Sequence, residues 1–289
     1  MAHTVNIVNA FVDAGEGGNP AGVVLEADTL TPADKLRIAR LVGLSETAFV
    51  SRSQVADIKL EFFTPSRQIA HCGHATIATF ALLAQQGLVT GPESSKETID
   101  GTRRILLRGE AAFMQQRAPQ YIDEADFPPG VSSGRILASL GLERSDVAAA
   151  PCVVDTGNRF VLVHLRREAL LGTLDTNMGE IAALSSAFGA IGYYVFAETE
   201  GEFAASARMF GPYYGIDEEA ATGMAAGPLA CYLYDRAGVT RPRFLIRQGA
   251  YMAPPSPSRI TVELQLDEGR ITGLFAGGGA RLASTVTVM

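Results

Sequence analysis

Apolar and polar positions change over in short runs from the start of the chain. Val5-Asn6-Ile7-Val8 reads as a strand, Gly18-Asn19-Pro20 as a turn, and Gly22-Val23-Val24-Leu25 as a returning strand. A Gly-Asn turn between two apolar runs favours a hairpin. The same succession returns as Cys152-Val153-Val154, Gly157-Asn158-Arg159 and Phe160-Val161-Leu162-Val163. A strand starting near Ile58 closes in Phe63-Thr64-Pro65, and one starting near Phe203 closes in Phe210-Gly211-Pro212. Two further blocks, Cys72-Gly73-His74-Ala75-Thr76 and Thr222-Gly223-Met224-Ala225-Ala226, lead into small and apolar stretches at 77–83 and 229–234. That pattern predicts a buried helix in each case. Gly18 and Gly157 lie 139 residues apart, Phe63 and Phe210 147, and Gly73 and Gly223 150. Three signals in one order at nearly constant spacing imply a chain built of two similar halves.

Helical periodicity marks Pro32–Val42 behind a Thr31 cap, residues 136–140, and Met178–Phe188 behind an Asn177 cap; Thr and Asn favour the N-cap because their side chains accept from the uncapped first turn. Strands mixed with single helices predict an α+β fold, each half wrapping a mixed sheet round a central helix. Pro119, Pro128 and Pro129 cluster with acidic residues near 118–126, where the halves are expected to join. The β-rich tail from Leu282 to Val288 fits either half.

The 289 residues are 47% hydrophobic and 19% charged, ample for packed cores, and the net charge of -7 argues against nucleic acid as a partner. The first ten residues lack a basic and apolar leader pattern, and no apolar run reaches the ~20 residues of a membrane helix. Three widely spaced cysteines, Cys72, Cys152 and Cys231, suit neither a disulfide framework nor a zinc site. A cytoplasmic chain with reduced thiols is expected. No dinucleotide or P-loop glycine motif is present, no metal-ligand spacing is seen, and Lys35, Lys59 and Lys96 lie outside the repeated blocks. No cofactor and no metal are therefore expected.

The glycine blocks carry the candidate chemistry. Small residues at a helix start leave backbone N–H groups open to an anion, and the helix dipole favours one there. Close helix packing is the alternative use of Gly73 and Gly223, and their duplication favours the anion site. His74 follows Gly73 on the first helical turn, where an imidazole can exchange a proton with a bound acid. His71 reads as a loop residue. Glu46, between Ser45 and Thr47 at the start of an apolar strand, suits general acid work if desolvated there; a solvated rim glutamate is the plainer reading. Among Asp217, Glu218 and Glu219, ahead of the second glycine block, spacing does not choose a functional acid. Cys72 at a helix start could serve as a base, but Thr222 holds the matching position, which disfavours a symmetrical two-thiol site and favours a buried thiol.

Together these blocks resemble the PhzF (phenazine biosynthesis-like) family. The resemblance rests on Asn9-Ala10-Phe11, Gly18-Asn19-Pro20-Ala21, Leu44-Ser45-Glu46-Thr47, Phe63-Thr64-Pro65 and Cys72-Gly73-His74-Ala75-Thr76 in the first half. In the second it rests on Arg208-Met209-Phe210, Glu219-Ala220-Ala221-Thr222-Gly223 with Ala226-Gly227, and Gln248-Gly249, and it extends to Gly277-Gly278-Gly279-Ala280. It implies a diaminopimelate epimerase-like fold with a cleft between the halves. The last strand then returns to the first half, giving domains of 1–117 with 278–289, and 118–277. It also implies a homodimeric, cofactor-independent isomerase that moves a proton on a small anionic carboxylic acid. Glu46 carries over as general acid/base, with His74 and Glu219 as further catalytic residues. Asn19, Gly73, Ala75, Gly223 and Met224 carry over as substrate-binding positions. The chain departs from the family pattern in Asn9, Glu219 and Met224, and in Gly-His-Ala-Thr for Gly-His-Pro, so the resemblance does not by itself carry over the phenazine precursor as substrate. An amino-acid epimerase or dehydratase using Cys72, and a non-catalytic interaction protein of the same fold, are the alternatives.

Overall fold

The computed structural model describes residues 2–289. The chain forms two compact units, Met1–Gln115 with Gly277–Met289, and Gln116–Ala276.

In the first unit the strand His3–Ala10 pairs antiparallel with Asn19–Val24 on one side and with Ala280–Val288 on the other. Asn19–Val24 runs parallel to Thr47–Ser51, so the chain must cross over between them. Helix α1 (Pro32–Val42) makes that crossing. The Thr31 side chain accepts from the Asp34 N–H, the Asp34 carboxylate accepts from the Thr31 N–H, and Gly43 closes the helix at φ 70°. Thr47–Ser51 pairs antiparallel with Ile58–Phe63, and that strand runs parallel to Glu93–Thr98 after a second crossover through helix α2 (Gly73–Gln85). Glu93–Thr98 and Gly101–Arg108 continue as an antiparallel meander into Ala111–Arg117.

The second unit repeats the plan. Gln120–Ile122 pairs with Cys152–Asp155, so the proline-rich stretch expected as a joint carries a strand with Tyr121 and Ile122 half-buried. Helix α3 (Ser133–Ala138) starts earlier than the periodicity at 136–140 suggests, because the Ser132 side chain accepts from the Arg135 N–H and fixes its first turn. Cys152–Asp155 and Arg159–Leu165 form an antiparallel hairpin. Helix α4 (Met178–Phe188), capped by Asn177 and closed by Gly189, crosses to the parallel strand Gly192–Glu198. Ala205–Gly211 follows antiparallel, and helix α5 (Gly223–Asp235) crosses to the parallel strand Arg243–Gln248, which turns into Ser258–Asp267. Both units therefore read antiparallel, parallel, antiparallel, parallel, antiparallel, with helices at the same two crossings.

α1 and α4 bury one stripe each, Ile38 and Ala39 in the first, Ile181, Leu184 and Phe188 in the second. α2 and α5 differ in kind: every residue from Gly73 to Leu83 is buried, and so are nearly all from Gly223 to Leu233. Small side chains such as Ala75, Ala78 and Ala226 let strands close on all faces of these helices.

The first hairpin depends on Gly18, which sits at φ 82° where an added Cβ would lie 2.4 Å from the Ala10 carbonyl oxygen. Gly18→Ala should lower the unfolding free energy by about 2–4 kcal/mol, read from urea denaturation.

Candidate active site

Helix α2 begins at Gly73 with no side chain capping it, and Cys72 stands at the cap in extended backbone. The first turn thus presents backbone donors and the positive end of the helix dipole. Glu46 immediately precedes the strand Thr47–Ser51, and its carbonyl accepts from the Gly22 N–H at 3.0 Å. Its side chain is 5% exposed beside His74, which is 3% exposed. Glu46 Oε2 lies 3.3 Å from His74 Nε2, close enough for an ion pair. The contact is not aligned as a hydrogen bond, and Oε2 has no hydrogen-bond partner while being sealed from solvent. A buried carboxylate oxygen left in that state is costly.

Cys72 Sγ lies 3.6 Å from His74 Nδ1. Burial pushes the Cys72 thiol up from its ordinary value, opposed by the neighbouring His74, so the thiol stays protonated rather than nucleophilic. Ligand atoms of Glu46, Cys72 and His74 fall within 4.8 Å of one another. Spacing along the chain predicted no such group; strand register brings Glu46 to the Cys-Gly-His block. These are metal-ligand types, but the raised thiol opposes the thiolate a metal needs. Ala75 follows in the same turn, fully buried, and Asn19 opens the neighbouring strand at 5% exposure.

In the second unit α5 begins at Gly223, again without a capping side chain on its first turn. Glu218 is held by Arg208 in a two-pronged pair, both contacts 2.8 Å. Glu219 instead accepts from the Thr222 hydroxyl. The structure so separates two acids that spacing left equivalent. Met224 Sδ lies 3.5 Å from the amide of Asn158, at the turn of the second hairpin.

A residue without an assigned role organises this corner. Buried Gln248 accepts from the Thr222 N–H at 3.0 Å and the Tyr194 hydroxyl at 2.9 Å. Its amide donates to the Glu219 carbonyl at 2.7 Å and to Thr222 Oγ1 at 3.1 Å. Burial holds the Tyr194 phenol well above its ordinary value, so it remains a donor. Gly249 follows at φ 77°, and an added Cβ would lie 2.1 Å from the Ser256 carbonyl oxygen. Gln248-Gly249 stood out in the sequence as a motif, but only the structure gives the glutamine its four contacts. Lys96 and His71, set aside in the sequence, meet beneath the first turn of α2.

With this geometry in hand, comparison with known proteins is informative. The profile of the phenazine biosynthesis-like protein family (PhzC-PhzF) matches residues 8–283. An uncharacterized isomerase, YddE, of Salmonella typhimurium is 32% identical over 78% of this chain and 77% of its own. The trans-2,3-dihydro-3-hydroxyanthranilate isomerase of Pseudomonas aeruginosa is 31% identical over 80% of each chain. Among solved structures, a PhzF-family phenazine biosynthesis protein of Bacillus anthracis superposes with a TM-score of 0.88 at 28% identity, covering 100% of this chain and 99% of that one.

Gln248→Leu removes all four contacts and strands the Thr222 N–H and the Tyr194 hydroxyl in the interior. It should cost about 2–4 kcal/mol of stability, measured by denaturation, with amide hydrogen exchange rising first at Thr222 and Gly223.

Proposed function

The chain belongs to the phenazine biosynthesis-like (PhzC-PhzF) family and is an isomerase; on that premise we propose that it moves a proton within a small unsaturated carboxylic acid, with Glu46 taking and returning it. The observation that carries this reading is the buried, unbonded Oε2 of Glu46 beside His74 at an uncapped helix start.

The steps follow from that arrangement. The substrate carboxylate docks on the first turn of α2 at Gly73 and Ala75, where the dipole stabilises its charge. Glu46 removes a proton from carbon: the C–H bond breaks, an O–H bond forms, and the electron pair spreads into the conjugated acid. Charge building on the substrate is stabilised by the same helix start. Protonated Glu46 then returns the proton to a different carbon, and the carboxylate is regenerated with no net loss or gain of atoms. His74 holds the Glu46 side chain and steadies its charge between the two transfers.

Internal symmetry supports one proton-moving group. Thr47 pairs with Phe63 and Tyr193 with Phe210, so Glu46 corresponds to Gly192, and the 150-residue spacing makes His74 correspond to Met224 and Cys72 to Thr222. The second unit therefore lacks a matching base, which favours a shift of one proton over a two-base epimerisation. Glu219, with Gly223, Met224 and Asn19, keeps the acid and substrate-binding parts that the family resemblance implies. A cytoplasmic homodimer goes with this reading, and light scattering on the purified chain reports the assembly.

Solvent deuterium incorporation is the direct test, using trans-2,3-dihydro-3-hydroxyanthranilate and a panel of other small unsaturated carboxylic acids. Glu46→Gln should lower turnover about 10²–10⁴-fold, while Cys72→Ser should leave most of it. Full turnover in Glu46→Gln sinks the proposal, and loss in Cys72→Ser alone transfers the base role to the thiol.

A further inference from the structure

Lys96 is fully buried on the strand Glu93–Thr98. Its amine donates to Thr76 Oγ1 at 2.7 Å and meets His71 Nδ1 at 3.1 Å, with the Phe62 ring centroid 5.1 Å away. No carboxylate is in contact with it among the described ion pairs. Thr76 passes the link onward, donating to the Cys72 carbonyl at 2.6 Å. The chain of contacts thus runs from Lys96 through Thr76 to the peptide that opens helix α2.

The second unit serves as an internal control. Strands Glu93–Thr98 and Arg243–Gln248 alternate buried and open positions in the same order. Each runs parallel to its neighbour in the same register, Lys96 opposite Ile58 and Ile246 opposite Ala205. Lys96 therefore corresponds to Ile246, Thr76 to Ala226 and His71 to Ala221, all three counterparts fully buried. The fold accepts an entirely apolar set here. Only the first unit, where Glu46 and His74 stand, replaces all three with polar groups. Burying an amine without a carboxylate is expensive, and packing alone does not ask for it.

We infer that Lys96 is a positioning residue of the active site, setting the Cys72–Gly73 peptide through Thr76 and lending its positive charge to a carboxylate bound at the start of α2. This rests on the reading that a carboxylate docks there. Burial lowers the Lys96 amine to about 7, and Arg103 on the facing strand pushes it the same way against the pull of Asp100. His71 is held well below its ordinary value by burial, then by Lys96 and Arg103, so it stays neutral and accepts the Lys96 N–H. The ammonium thus discharges as pH rises through neutrality, and the anion site weakens with it. The sign for stability is opposite. The unfolded lysine holds its proton to about 10.5, so the burial penalty is full below about 7 and is relieved between about 7 and 10.5.

The test titrates benzoate, as a small unreactive carboxylate, into the full chain while following the Gly73 and His74 amides by NMR. Lys96→Ile installs the residue of the second unit, and Lys96→Met replaces it should the β-branched side chain fail to fold. At about pH 6 the variant should bind benzoate about tenfold more weakly than the native chain. Native affinity should fall as pH passes about 7, and the variant's should stay flat. The variant should unfold at a temperature no lower than the native chain near pH 6, with native stability gaining on it above about 7. Equal affinity and equal pH dependence in both proteins overturn the role of Lys96 and leave the proposed isomerase intact. Amides of Gly73 and His74 that benzoate never moves in the native chain overturn the docking site itself.

Discussion

A helix buried on every face can offer polarity only at its ends, and both units of this protein are organised around that constraint. α2 and α5 have small or apolar residues all round, with strands covering every side. Their first turns carry backbone donors that no cap side chain accepts. In the second unit Gln248 reaches across to accept from the Thr222 N–H, while in the first the strand entry leaves Glu46 beside the His74 ring with Oε2 unbonded.

The two solutions differ in electrostatic character. Gln248 satisfies neutral groups with neutral contacts, accepting from Tyr194 and Thr222 and donating to Glu219. The result is a closed network, the kind that rigidifies a buried corner. Around α2 the groups are titratable and their bonding is incomplete: a carboxylate oxygen with no donor, a thiol raised by burial, a lysine without a carboxylate. Such groups are poor for stability. One scaffold repeated twice has kept its pairing order while the side chains around the two helix starts differ.

In the second unit Gly192 and Met224 stand where Glu46 and His74 stand in the first. An added Cβ at Gly192 would fall 2.0 Å from the Phe210 carbonyl oxygen, so the second unit has no room for an acid there. The two units share the geometry that a strand-helix-strand crossing requires, and the side chains at equivalent points differ.

Much of this was legible in the chain itself. Hairpins, the caps at Thr31 and Asn177, the fully apolar helices and the twofold repeat all rest on local backbone preference and side-chain period, which contiguous residues carry. The block holding His74 was visible for the same reason, whereas Glu46 and Glu219 were singled out only by the family resemblance. Tertiary structure alone decided which acid faces Thr222, that Glu46 reaches His74, that Gln248 ties Tyr194 from 54 residues away, and that Lys96 meets His71 across 25. Three of these contacts join separate elements and depend on how the crossovers set strands and helices together, while Glu219 and Thr222 meet within one local turn. Which residues meet across separate elements is settled by how whole helices pack into sheets, a relation that spacing along the chain does not carry.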